Sequence, residues 1–167
     1  MTAEHQEELK SEIQRLLKLL KMRTAVYNIE TREGTDGKAY IMELSPRGGG
    51  NRLAECLRYA TGVDMITNMV KYSVGLPVDE IEQKPYDGCW AEIILHSDQP
   101  GIFKELWISD EIASNVVERD LWIKEGTTVG GFEANEAIGT LVLKFESQDK
   151  VEEVLGNQSK YVKVILM

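Results

Sequence analysis

The sequence predicts an α+β chain with helices and one hairpin first and a β-rich half after them. Three observations carry that expectation. An apolar stripe with helical spacing lies near the N-terminus, a strong turn separates two β-patterned runs before residue 50, and β-branched runs dominate after residue 88. The boundaries read as residues 1–77, a linker over 78–88 and a second domain over 89–167.

Taken in order, residues 4–20 form an amphipathic helix. Leu9, Ile13, Leu16, Leu17 and Leu20 mark one stripe, with Glu, Lys and Arg opposite. Residues 24–32 are a strand candidate. Glu33-Gly34-Thr35-Asp36-Gly37-Lys38 is turn chemistry, and the apolar strand Tyr40 to Met42 follows it. The two strands therefore read as an antiparallel hairpin. If Arg32 pairs with Ala39, or Glu33 with Tyr40, then Glu30 and Glu43 share a face, because side chains alternate with period two. Asn28 and Ser45 share it too. Helices are expected over residues 53–59 and 65–73, separated by a turn at Gly62. Pro85 and Gly88 punctuate the linker. Strands are expected at 90–96, 102–108, 116–124 and 138–146, then a helix at 149–155 and a last strand at 161–166.

The run Glu43-Leu44-Ser45-Pro46-Arg47-Gly48-Gly49-Gly50-Asn51 carries the functional expectation. A strand delivers a carboxylate, a hydroxyl and a guanidinium, and glycines follow. Carboxylates hold hard cations through oxygen. An arginine grips a carboxylate or phosphoryl group bidentately, and glycine lets backbone approach a ligand closely. Two carboxylates facing each other across strands repel by roughly 0.2–1 kcal/mol, and a divalent cation between Glu30 and Glu43 reverses that sign. The competing reading is a solvated acidic face. For Arg47 it is an arginine that caps the next helix or pairs with Glu55.

Composition narrows the class. The chain has 167 residues, 43% hydrophobic, enough for a real core and too many for disorder. No apolar run is long enough to span a membrane, and the start lacks the basic and apolar segments of a signal peptide. The two cysteines, Cys56 and Cys89, form no Cys-x-x-Cys, so a reduced, cytoplasmic setting is expected. The net charge of −9 sits in the second half. That argues against nucleic-acid binding, which rests on phosphate neutralisation. Trp90, Trp107, Trp122 and His96 read as structural residues, and no His/Cys cluster has zinc spacing.

The segment 16–78 resembles the last part of the ATP-grasp fold. That family carries a hairpin ending in Glu-x-Asn-x-Arg or Glu-x-Ser-Pro-Arg, matched here by Glu43-Leu44-Ser45-Pro46-Arg47. Helices bearing an Ala-Thr-Gly-Val-Asp-like turn follow, matched by Ala60-Thr61-Gly62-Val63-Asp64. A later Gly-x-Pro is matched by Gly75-Leu76-Pro77. More loosely, residues 122–129 and 137–143 resemble the barrel-type domain that follows in biotin carboxylases and amino-acid ligases of this group. The resemblance thus implies the C-terminal part of an ATP-grasp subdomain, then a barrel-like β-rich domain.

It also implies an ATP-dependent carboxylate-activating ligase using Mg2+ or Mn2+. Glu43 matches the metal-bridging glutamate and Glu30 the first metal ligand, with Asn28 as the alternative. Ser45 stands where most members have asparagine. Arg47 matches the arginine on the substrate carboxylate or acyl phosphate, and Gly48, Gly49, Gly50 and Asn51 form the adjoining substrate loop. The implied partners are ATP, a small carboxylate and the N-terminal remainder of the enzyme, with no nucleic acid and no membrane; a homodimer is allowed. The sequence holds no Gly-x-Gly-x-x-Gly and no phosphate-binding Gly-Lys-[Ser/Thr] motif. The expectation is therefore a C-terminal portion of a longer ligase, inactive alone. The alternative is a non-catalytic binding module derived from such an enzyme.

Overall fold

The structure, a computed structural model, describes residues 2–82 and 85–167. Residues 83 and 84 of the expected linker lie outside the described residues. The fold is α+β, and its contacts divide it into two units. One comprises Met1–Gly50 and Asp64–Ile81, the other Asn51–Val63 and Glu82–Met167.

In the first unit, helix α1 (Ala3–Leu19) is capped by Thr2, whose side chain accepts from the His5 amide. Its stripe buries Leu9. The ring of His5 meets the Glu33 carboxylate at 2.5 Å, tying the helix start to the hairpin. That contact raises the His5 pKa and lowers that of Glu33. Strands β1 (Asn28–Glu33) and β2 (Ala39–Ser45) pair antiparallel. β1 begins later than the sequence pattern suggests, at Asn28 rather than residue 24. Helix α3 (Met65–Ser73) starts at Asp64, whose carboxylate accepts from the Thr67 amide at 2.8 Å.

The second unit opens with helix α2 (Leu53–Thr61), stopped by Gly62 in the left-handed region at φ 74°. Two three-stranded antiparallel sheets follow. The first has the order β3-β7-β5, from β3 (Cys89–Leu95), β5 (Val116–Leu121) and β7 (Gly139–Phe145). The second has the order β6-β4-β8, from β4 (Gly101–Ile108), β6 (Thr128–Val129) and β8 (Val162–Leu166). Among the described residues the two ladders do not join, so the expected barrel-like domain is a pair of open sheets and not a closed barrel. Closure requires every edge to be paired, whereas β3, β5, β6 and β8 each have one sheet neighbour.

Three short helices complete the unit: α4 (Asp110–Ala113), α5 (Gln148–Gly156) and α6 (Gln158–Tyr161). Of these the sequence pattern finds α5 only, because four-residue helices are too short to show a period. The core draws on both sheets and α5, through Ala91, Ile93, Leu95, Phe103, Leu141 and Phe145 with Val151, Val154 and Tyr161. Every residue of this cluster lies between Ala91 and Val162. No described helix is long and apolar enough to cross a membrane.

Candidate functional site

The hairpin brings the two expected carboxylates into register: Glu30 pairs directly with Glu43, and Asn28 with Ser45. The route to this register differs from both simple alternatives. Next to the turn, Arg32 faces Tyr40 and Glu33 faces Ala39. Continued without a break, that ladder sets Met42 opposite Glu30 and turns Glu43 to the other face. Instead the register shifts between Glu30 and Thr31. Met42 is left as the extra residue of a β-bulge, 62% exposed. The bulge restores Glu43 to the face of Glu30.

Each acid also has a contact along its own strand. Ser45 donates its hydroxyl to Glu43 Oε1 at 2.6 Å, and Arg32 reaches Glu30 Oε1 at 3.1 Å. Both carboxylates are exposed. Among the described residues no lysine or arginine pairs with Glu43, and no group of three or more His, Cys, Asp or Glu forms a metal cage. The donors present are two carboxylates, a hydroxyl and an amide, all hard oxygen chemistry. Such a set suits a cation that keeps waters and shares phosphate oxygens, which is how magnesium is usually held.

Beyond the strand, Arg47 is exposed; its amide bonds the Ser45 carbonyl at 2.8 Å, and its guanidinium donates to the Gly48 carbonyl at 2.9 Å. It does not cap the following helix: the N-cap is Arg52, with no side-chain cap bond. Nor does it need Glu55, which pairs with Arg52. Among the described residues, a Cβ added at Gly48 or Gly50 meets nothing within 4 Å. Packing against those residues therefore gives no reason for glycine at either position. Asn51 and Arg52 take the left-handed conformation, at φ 52° and 65°.

Arg52 is the residue the sequence reading missed. Its guanidinium contacts Glu118, lies 3.1 Å from Asp120 and 3.4 Å from Glu55. Glu118 also accepts from Tyr59 at 2.6 Å, and Asp120 from Trp122 at 2.9 Å. The Tyr59 hydroxyl, with Arg52 beside it, lowers the Glu118 pKa. The only hint in the sequence is an Arg–Glu pair three residues apart at a helix start; partners more than sixty residues away leave no local pattern.

On the same sheet Glu92 behaves oppositely. Burial raises its pKa, Arg52 partly offsets this, and Glu55 adds to it. A raised carboxyl pKa gives stability that is present at low pH and lost as pH rises through the folded value. Glu92→Gln is therefore expected to raise the melting temperature at pH 8 relative to the parent chain and to change little at pH 4. Thermal melts across that range check this.

No protein-family model matches the chain, and no curated protein matches it. Solved structures do match in fold. Phosphoribosylglycinamide synthetase from Anaerococcus prevotii aligns at TM-score 0.78 and 22% identity, over 100% of this chain and 43% of that one. L-amino acid ligase from Bacillus licheniformis aligns at 0.79 and 15%, over 100% and 42%. Biotin carboxylase from Campylobacter jejuni, in a β-γ-ATP complex, aligns at 0.72 and 15%, over 99% and 37%. The chain thus spans about two-fifths of the length of these proteins, and at such identities the likeness is one of fold.

Proposed function

Proceeding from this fold, that of the C-terminal portion of ATP-grasp ligases, we propose that the chain is part of an ATP-dependent ligase that activates a carboxylate and joins it to a nitrogen nucleophile. The observation that carries the reading is the bulge-enforced pairing of Glu30 with Glu43. A hairpin gains nothing structurally by setting two like charges directly opposite each other.

In this reading Glu30 and Glu43 hold Mg2+ or Mn2+, with Asn28 and Ser45 as neighbouring oxygen donors. The cation, when bound, neutralises charge on the phosphate oxygens of ATP. The Ser45 hydroxyl orients Glu43 through the bond it already makes. Arg47 fixes the substrate carboxylate in its planar fork, exchanging a single bond to its neighbour's neutral carbonyl for a bidentate pair to an anion. The glycines let substrate lie close to backbone. A carboxylate oxygen attacks the γ-phosphorus and ADP leaves. The nitrogen nucleophile then attacks the acyl carbon, phosphate departs, and the nitrogen loses a proton.

The test uses the chain itself. Titrating manganese into 15N-labelled protein is expected to broaden the amide signals of residues 28–30 and 43–45 first, in the millimolar range. Glu43→Gln is expected to raise the concentration needed by about tenfold or more. Uniform broadening, or broadening indifferent to Glu43→Gln, would favour the non-catalytic binding module.

A further inference from the structure

The sheet β3-β7-β5 has two faces, and only one belongs to the core. Ala91, Ile93 and Leu95 look into the core together with Leu141, Leu143 and Phe145. Trp90, Glu92 and Ile94 alternate to the other side, as do their partners Lys144, Val142 and Thr140. Glu118 pairs with Val142 and Asp120 with Thr140, which places them on that second face too. Val142 is fully buried yet stands outside the core cluster, so something else covers it.

The cover is α2. Its residues Arg52, Glu55, Cys56 and Tyr59 recur at helical spacing. Tyr59 stacks on Trp90 with ring centres 5.6 Å apart and bonds Glu118. Arg52 reaches Glu118 and Asp120. The seam between helix and sheet is therefore polar and acidic.

Within it lie two buried side-chain oxygens that have no hydrogen-bond partner among the described residues, Glu92 Oε1 and Thr140 Oγ1. They are diagonal neighbours on one face, because Glu92 sits two residues before Ile94, the partner of Thr140. Thr140 is only 1% exposed. Buried oxygens of this kind are rare in folded proteins and need a partner. Diagonal neighbours are about 7–8 Å apart at the backbone, close enough for one small molecule to touch both side chains.

We propose that this seam binds an ordered water molecule bridging Glu92 Oε1 and Thr140 Oγ1. Water fits the donor and acceptor count. It accepts from the Thr140 hydroxyl and donates to Glu92. Its second hydrogen has the carboxylate of Asp120, directly across from Thr140. Buried waters typically make about three such bonds. A divalent metal fits less well, because the cation Arg52 already engages the other acids of the seam, Glu55, Glu118 and Asp120. The water thus links the three strands of the sheet beneath α2, whose own direct bonds come from Arg52 and Tyr59.

Two measurements decide it. A crystal structure of the full chain at high resolution is expected to show a water peak within hydrogen-bond distance of both oxygens. Thr140→Val is isosteric but lacks the hydroxyl; it is expected to lower the melting temperature by about 4 °C or more, while Thr140→Ser stays near the parent value. A higher melting temperature for Thr140→Val would show that the hydroxyl was an unmet liability and overturn the proposal. So would a direct Glu92–Thr140 contact in the crystal with no peak between them. A melting temperature that differs among potassium, sodium and choline chloride at equal ionic strength would identify a cation and equally overturn it. Should Thr140→Val not fold, the crystal structure and the Thr140→Ser melt decide alone.

Discussion

Phe145→Ala is expected to cost the second unit about 3–5 kcal/mol, the usual range for truncating a buried phenylalanine. Phe145 is 1% exposed and stands on β7, the central strand of its sheet, pointing into the cluster shared with the other sheet. The loss has two parts: the transfer free energy of the ring, and a cavity that neighbours fill only partly. At Phe145 the backbone is paired with Cys89 of β3, and next to it Lys144 exchanges bonds with Asn115, so the strand cannot readily move in to close the gap. Native-state hydrogen exchange is the suitable measurement. Amides of β3 and β7 should lose protection by the full amount, while those of α1 and the hairpin, with none of the cluster's residues, should not change. A uniform loss across all amides would show that the core cluster stabilises more than its own unit.

Arg52→Met should be the next most damaging change, by about 2–3 kcal/mol. Removing one partner of a buried pair typically costs 3–5 kcal/mol. Here the arginine side chain keeps 21% of its exposure and Asp120 keeps 41%, so solvent screening reduces the figure. The variant leaves Glu55, Glu118 and Asp120 facing one another without a cation. The effect should depend on pH, with a definite sign. Glu118 has a lowered pKa in the parent chain, through Tyr59 first and Arg52 after it. A lowered carboxyl pKa gives stability that is present above the unfolded value and lost as pH falls through the folded one. The gap between parent and Arg52→Met should therefore be widest near pH 7 and narrow toward pH 3. Urea melts at several pH values check this, and a gap independent of pH would assign the loss to the arginine's packing alone.

Much of the fold was legible because its signals are local. Turn residues 33–38, the β-patterned runs and the turn at Gly62 act within a few positions of themselves. The candidate site was legible for the same reason: Glu30, Glu43, Ser45 and Arg47 lie on one hairpin and its exit. What escaped depends on distance or on single-residue geometry. Arg52 meets its partners only after the chain has returned as β5. The bulge at Met42 is one residue of slack, visible only once both ends of the ladder are aligned. The open sheets replaced the expected barrel because strand patterning reveals which residues face inward and says nothing of whether the last edge meets the first.

The bulge also makes the hairpin forgiving of length. Deletion of a residue from within a strand normally rotates everything beyond it by half a turn. Here the surplus residue is already outside the ladder, so a chain lacking Met42 can run from Ile41 straight to Glu43 with Thr31 and Glu30 still opposite. In evolutionary terms this is a position where a codon can be gained or lost without misaligning the acids. Related hairpins can differ by one residue there and still present the same pair of carboxylates.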